Sequence, residues 1–224
     1  MARKHGLQCR RLTWNPNYKG LDDWQLALRK NAAKGPKTMT FRERYLYGAC
    51  EIAQIDDCVE RWHKAQPDGV SLQAYLGLPD EEYHAFLQPG GNAQLEELLN
   101  AQRKQSGCRI YQLEFTDTEK TKPFAFSGID ALRKAGFQQP PASEYRLVRD
   151  ETLYCPKDEP DLAVLERVFD RYNGKLPADY PGRCIAPSDV LELYDAEKRR
   201  YYYRDMKQFV SVAFSPLLAR PIQK

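Results

Sequence analysis

Hydrophobic residues recur along this chain in two rhythms, and the change from one to the other divides it. Across residues 40–65, Tyr45, Ile52 and Val59 recur every seven residues, interleaved with Gly48, Ile55 and Trp62. A stripe with a period of about 3.5 predicts one amphipathic helix serving as the spine of a bundle. Thr40 and Glu43 predict a capping box at its start. Pro67-Asp68-Gly69 supply the turn that ends it. Upstream, Leu21, Trp24 and Leu28 share a helical face that Gly35-Pro36 closes. Downstream, residues 71–76 and 79–87 read as short helices joined by Gly77-Leu78, and Leu95, Leu98 and Leu99 mark another up to about Gln105.

Past Ser106-Gly107 the period falls to two. Ile110, Gln112 and Glu114 alternate with Tyr111, Leu113 and Phe115, which predicts a strand over 108–115. A helix capped by Ser127 and stopped by Gly136 follows, with Phe137 packing back. Next come a strand over 145–154 and a helix over 161–172 burying Leu162, Leu165, Val168, Phe169 and Tyr172. A hairpin then turns at Asp195-Ala196-Glu197-Lys198, and residues 209–213 add a short last strand. This order predicts an α+β fold: a helical N-terminal half, then a small mixed-sheet domain with helices packed on one face. The expected limits are 1–105 for a helical domain with a basic N-terminal arm and 108–216 for the α+β domain.

The second half also carries a string of short motifs: Tyr111-Gln112-Leu113, the leucine-bearing helix 129–136, Tyr145-Arg146-Leu147-Val148, Phe169 with Tyr172-Asn173, Pro177-Ala178-Asp179-Tyr180-Pro181-Gly182, Ser188-Asp189-Val190 and Tyr201-Tyr202-Tyr203. In this order they resemble the YodL-like domain found in mobile-element and phage proteins of Firmicutes. The chain departs from that pattern at Ala186, where the family has a serine, and at Pro187. The resemblance implies an accessory module of conjugative and phage-derived DNA, and it brings no catalytic residues with it.

Charge adds an asymmetry that the net value of +3 conceals. Residues 1–48 sum to +8 and residues 49–104 to −6. The basic arm, with Arg3, Lys4, Arg10 and Arg11, either seeks nucleic-acid phosphates or folds back on the acidic segment. The helix pair 71–87 has the form of a DNA-reading hairpin, but Asp80, Glu81 and Glu82 open its second helix, and phosphate would repel them. No apolar run reaches the roughly 18 residues of a membrane span, and no apolar segment follows the first basic residues as in a secretory signal. The six cysteines show no paired spacing, which fits reduced thiols in the cytoplasm.

Candidate chemistry is sparse. His5, His63 and His84 all precede the α+β half. Cys50 and Cys58 with His63 do not converge as a metal site on one helix, so neither a metal nor a cofactor is expected. Ser188-Asp189 reads as a turn or cap, and Arg183-Cys184 as a small residue between strand and turn. The cluster that remains is Arg199, Arg200, Tyr201, Tyr202, Tyr203 and Arg204, which suits a protein partner, stacked bases or a half-buried strand. The expected function is a non-enzymatic accessory protein of a mobile element. It would bind and modulate a host or element-encoded protein, as in counter-defence, with nucleic-acid binding through the arm and the Tyr/Arg strand as the alternative.

Overall fold

The computed structural model describes residues 39–65, 67–114, 118–174 and 176–222. Arg3, Lys4, Arg10 and Arg11 and the Leu21/Trp24/Leu28 face lie outside the described residues. Helix α1 (Phe41–Leu46) opens on the foreseen capping box. Glu43 N donates to Thr40 Oγ1, and Thr40 N donates to the Glu43 carboxylate at 2.8 Å. The single helix expected over 40–65 does not form, because Gly48 turns left-handed at φ +67°. A Cβ at this glycine would also lie 2.6 Å from the Tyr154 ring. The chain passes instead through a 3-10 turn (Ile52–Gln54) into α2 (Ile55–Ala65). Ile55 and Cys58 keep to the core. Trp62 is only half-buried and donates its indole N–H to Val70 O at 3.0 Å.

Three more helices complete this half: α3 (Leu72–Leu76), capped by Ser71 and ended by left-handed Gly77, α4 (Asp80–Phe86) and α5 (Gly91–Gln102). Phe41, Tyr45, Leu46, Ile55, Leu76, Leu95 and Leu99 form their shared core. Arg42 closes it by pairing at 2.8 Å with Glu82, which is buried.

Strand β1 (Arg103–Leu113) leaves α5 without a linker. The boundary expected at 105–107 is therefore inside a strand, and Thr40–Lys224 cluster as one compact unit. Gly107 signals close approach, not a break. It stands opposite Tyr194 across the sheet, and a Cβ there would fall 2.0 Å from the Tyr194 ring.

Two short helices, α6 (Thr118–Thr121) and α7 (Ile129–Lys134), precede β2 (Tyr145–Pro156), and α8 (Asp161–Asn173) precedes β3 (Val190–Tyr194), β4 (Arg199–Arg204) and β5 (Phe209–Val212). The strand order is β2-β1-β3-β4-β5, with every neighbouring pair antiparallel. The α+β class holds, with eight α-helices among the described residues. The sheet expected as mixed is antiparallel throughout. β2 and β3, joined through α8, do run parallel to each other, but β1 separates them.

Helix α8 sets Val164, Leu165, Val168 and Tyr172 against Cys108, Ile110, Leu191 and Leu193 on one face of the sheet. Leu162, expected in this core, is exposed in the first turn, and Val164 lies in the stripe instead. Ile129 and Leu132 of α7 pack with Tyr111, Leu113, Tyr145, Val190 and Tyr203, the alternate residues of the same strands. Ser127 does not cap α7. Its hydroxyl donates to Ala125 O, and Asp205 from the β4–β5 turn accepts from Ile129 N at 2.9 Å. Gly128 admits that carboxylate, since a Cβ would lie 2.2 Å from its oxygen. Gly136, at φ +90°, stops α7 as expected. Among the described residues no helix is long and apolar enough to cross a membrane.

The helical core gives a direct comparison. Leu99→Ala should lower the unfolding free energy by about 2–5 kcal/mol, whereas half-buried Trp62→Ala should cost clearly less, as read by denaturant titration of each variant.

Candidate functional site

The Tyr/Arg strand is interior to the sheet, with β3 on one side and β5 on the other. Alternation along β4 divides the predicted cluster between two faces. Arg200, Tyr202 and Arg204 turn toward α8. Tyr202 donates its hydroxyl to Asp161, and Arg200 pairs with the same carboxylate at 2.7 Å. Arg204 is buried, with its guanidinium 4.2 Å from the centre of the Phe169 ring and 5.0 Å from that of Phe209. Tyr203 points to the other face, where it is fully buried and donates to Ser127 O at 2.9 Å. Tyr201 is half-buried against Phe214. Only Arg199 is exposed, so the six residues form no continuous surface. Sequence alternation separates Tyr202 from its neighbours but carries no information on how completely each face is covered.

The second face holds a different site. Glu192 on β3 is fully buried. Tyr111 donates its hydroxyl to the Glu192 carboxylate at 2.8 Å, Arg199 reaches it at 2.6 Å and Arg109 at 3.5 Å. Arg109 also pairs with Asp150 at 2.8 Å, and its guanidinium stacks 4.6 Å from the Tyr194 ring centre. Burial first, and then the bond to Glu192, pushes the Tyr111 hydroxyl pKa up. Such a web neutralises the buried carboxylate and fixes the orientation of two arginines.

Beside this web lies an open pocket of about 580 Å³. Arg109, Tyr111 and Leu147 form its floor and Arg199 one wall. Pro216, Leu217, Ala219, Arg220 and Pro221 of the C-terminal strap form the other. The strap follows Phe214, passes through a 3-10 turn (Pro216–Leu218) and reaches the outer edge of β2. Its leucines do not fill the pocket: Leu217 is 97% and Leu218 65% exposed. This strap is not legible in the sequence, because it has neither helical nor alternating periodicity. Its one local signal is the pair of prolines, Pro216 and Pro221, around two leucines.

The remaining candidates are placed plainly. Asp189 is buried under the Arg183 guanidinium, with two contacts of 2.6 Å, and also accepts from Ala186 N at 2.9 Å. Burial raises its pKa, against the pull of Arg183. Ser188, at φ +80°, accepts from Phe126 N through its hydroxyl. These residues brace the turn, and among the described residues no histidine lies in it. Cys184 is exposed, and Cys50, Cys58, Cys108 and Cys155 are buried free thiols. Among the described residues no three metal-ligating side chains come together.

Residues 107–214 match the family model of the YodL-like domain. No curated protein and no solved structure matches the chain. The match runs from mid-β1 to Phe214, so the strap that walls the pocket lies just beyond it.

Buried and half-buried tyrosines, Tyr172 and Tyr202 among them, make the fold sensitive to alkali. Burial, then a carboxylate neighbour, pushes Tyr172 and Tyr202 up to about 12 from the ordinary 10.0. Above pH 10 the unfolded chain releases these protons while the folded chain retains them, so stability is full below pH 10 and is lost as pH rises toward 12. The melting temperature should accordingly fall between pH 10 and pH 12, and a Tyr172→Phe, Tyr202→Phe variant should show a shallower fall.

Proposed function

The C-terminal half of the chain is a YodL-like domain, and from that premise we propose that the protein is a non-enzymatic accessory factor of a mobile genetic element. It works in the cytoplasm by binding and modulating a host protein, in the manner of a counter-defence factor. The observation that carries this reading is the pocket on the second face of the sheet. Its lining is apolar at Leu147, Pro216, Ala219 and Pro221, and Arg109, Arg199 and Arg220 stand around it. Apolar surface interleaved with arginines is the composition of a protein-binding patch. The mobile-element setting rests on the family resemblance.

The positive charge of residues 1–48 favours nucleic acid as a second reading. In that case Arg3, Lys4, Arg10 and Arg11 would contribute phosphate contacts, and binding would weaken steeply with salt.

Capture from a host lysate, with and without nuclease, separates the two. The paired change Leu147→Gln and Arg199→Ala should weaken capture about thirtyfold, the effect of losing ~2 kcal/mol of anchor. The control Leu162→Gln, at an exposed leucine on α8, should leave it intact. Capture that survives the pocket change but disappears with nuclease, or with neutralisation of the four arm residues, would favour nucleic acid.

A further inference from the structure

The C-terminal strap touches the sheet in the way an extended peptide would. Arg220 N donates to Tyr145 O at 2.8 Å, and Leu147 N donates to Arg220 O at 2.9 Å. These two bonds make an isolated parallel bridge between Arg220 and Arg146 on the outer edge of β2. The Arg220 guanidinium pairs with Glu114 at 2.7 Å, beside the Arg146 guanidinium on the same carboxylate. The strap thus engages the sheet through two backbone bonds, one cation and Ala219, which packs against the core cluster of this face, while Leu217 and Leu218 stay in solvent and the adjoining pocket stays open. It also lies outside the residues that match the YodL-like domain.

We propose that the outer edge of β2 at Tyr145–Leu147, with Glu114 beside it, is a peptide-docking site that residues 219–221 occupy in cis. The occupant in the partner complex is an extended polypeptide segment running parallel to β2. Its basic side chain takes the place of Arg220 on Glu114, and its apolar side chains take the strap's place beside Arg109, Tyr111 and Leu147. Three features of the surface specify this ligand. The edge offers a backbone N–H and C=O at Leu147 and Tyr145, which suit a strand added to a sheet. Glu114 offers a carboxylate for a cation, and the pocket offers apolar surface beside them. The cis strap lowers the apparent affinity by holding the site closed for part of the time, which makes binding conditional on its release. This inference rests on the second face being a protein-docking surface.

A labelled synthetic peptide of residues 215–224 is the probe, titrated into the full chain and into its Arg220→Glu variant. The variant's new carboxylate repels Glu114 and frees the edge, so it should bind the peptide about tenfold more tightly than the unaltered chain does. A peptide carrying the same Arg-to-Glu change should bind neither. Equal or absent binding by a variant with an unchanged far-ultraviolet spectrum would overturn the proposal. Hydrogen exchange on the unaltered chain tests it without any substitution. The Arg220 amide should exchange far faster than that of Ile110, and excess peptide should accelerate it further. An Arg220 amide as protected as Ile110, and indifferent to peptide, would equally overturn it. Peptide binding combined with lysate capture that ignores the Leu147/Arg199 change would support the edge site and contradict the pocket reading. Pocket-dependent capture without peptide binding would do the reverse.

Discussion

Asp189 is a fully buried carboxylate, and the arrangement of the α+β half depends on how it is neutralised. The Arg183 guanidinium meets both of its oxygens, Ala186 N donates to it, and Gln112 of β1 lies within 3.4 Å. Gln112 also bonds Arg183 through main-chain N and O, so the segment leading into β3 is tied to β1. The main chain at Ser188 and Asp189 exchanges bonds with Arg204 at the end of β4. From the far side Tyr145 donates its hydroxyl to Ser188 O at 2.8 Å. A buried charge stripped of its partner costs several kcal/mol, so this turn has one low-energy arrangement. Positive φ at Ser188 and Phe126, joined by the Phe126 N to Ser188 Oγ bond, is local strain that the surrounding bonds hold in place.

That turn sets the register of β3, and the register decides which residues face the pocket. With Val190 opposite Tyr111 and Tyr203, Glu192 falls opposite Arg109 and Tyr201 on the same face. The carboxylate draws Arg109, Arg199 and the Tyr111 hydroxyl around itself. A one-residue slip would put Glu192 into the apolar cluster under α8. The polar floor, the pocket beside it and the strap that borders it thus follow from one buried acid, Asp189, three residues ahead of another, Glu192.

Much of the fold is legible in the sequence because it rests on local rules. Thr40 with Glu43, Gly77, Gly136 and the 195–198 turn each act within a few residues, and each stands as read. The misreadings involve partners distant in the chain. Gly48 breaks a helix whose period seemed continuous, because Tyr154 packs against it. Gly107 resembles a linker residue until Tyr194 is seen lying over it. Ser127 has the chemistry of a cap, but Asp205 performs that role from 76 residues away. The Tyr/Arg segment is legible as a strand, while its burial depends on α7, α8 and Phe214. The strap and its pocket left almost no signal, because two backbone bonds and an Arg–Glu pair require no periodic pattern.

A double-mutant cycle on Arg183 and Asp189 measures the constraint on which this account depends. Arg183→Ala should destabilise the protein by about 3–5 kcal/mol, because it leaves Asp189 buried without its cation. Adding Asp189→Asn should then recover part of that loss, giving a coupling energy above about 1 kcal/mol. Independent, additive effects, or an Arg183→Ala variant as stable as the parent, would contradict the claim that this buried pair organises the sheet.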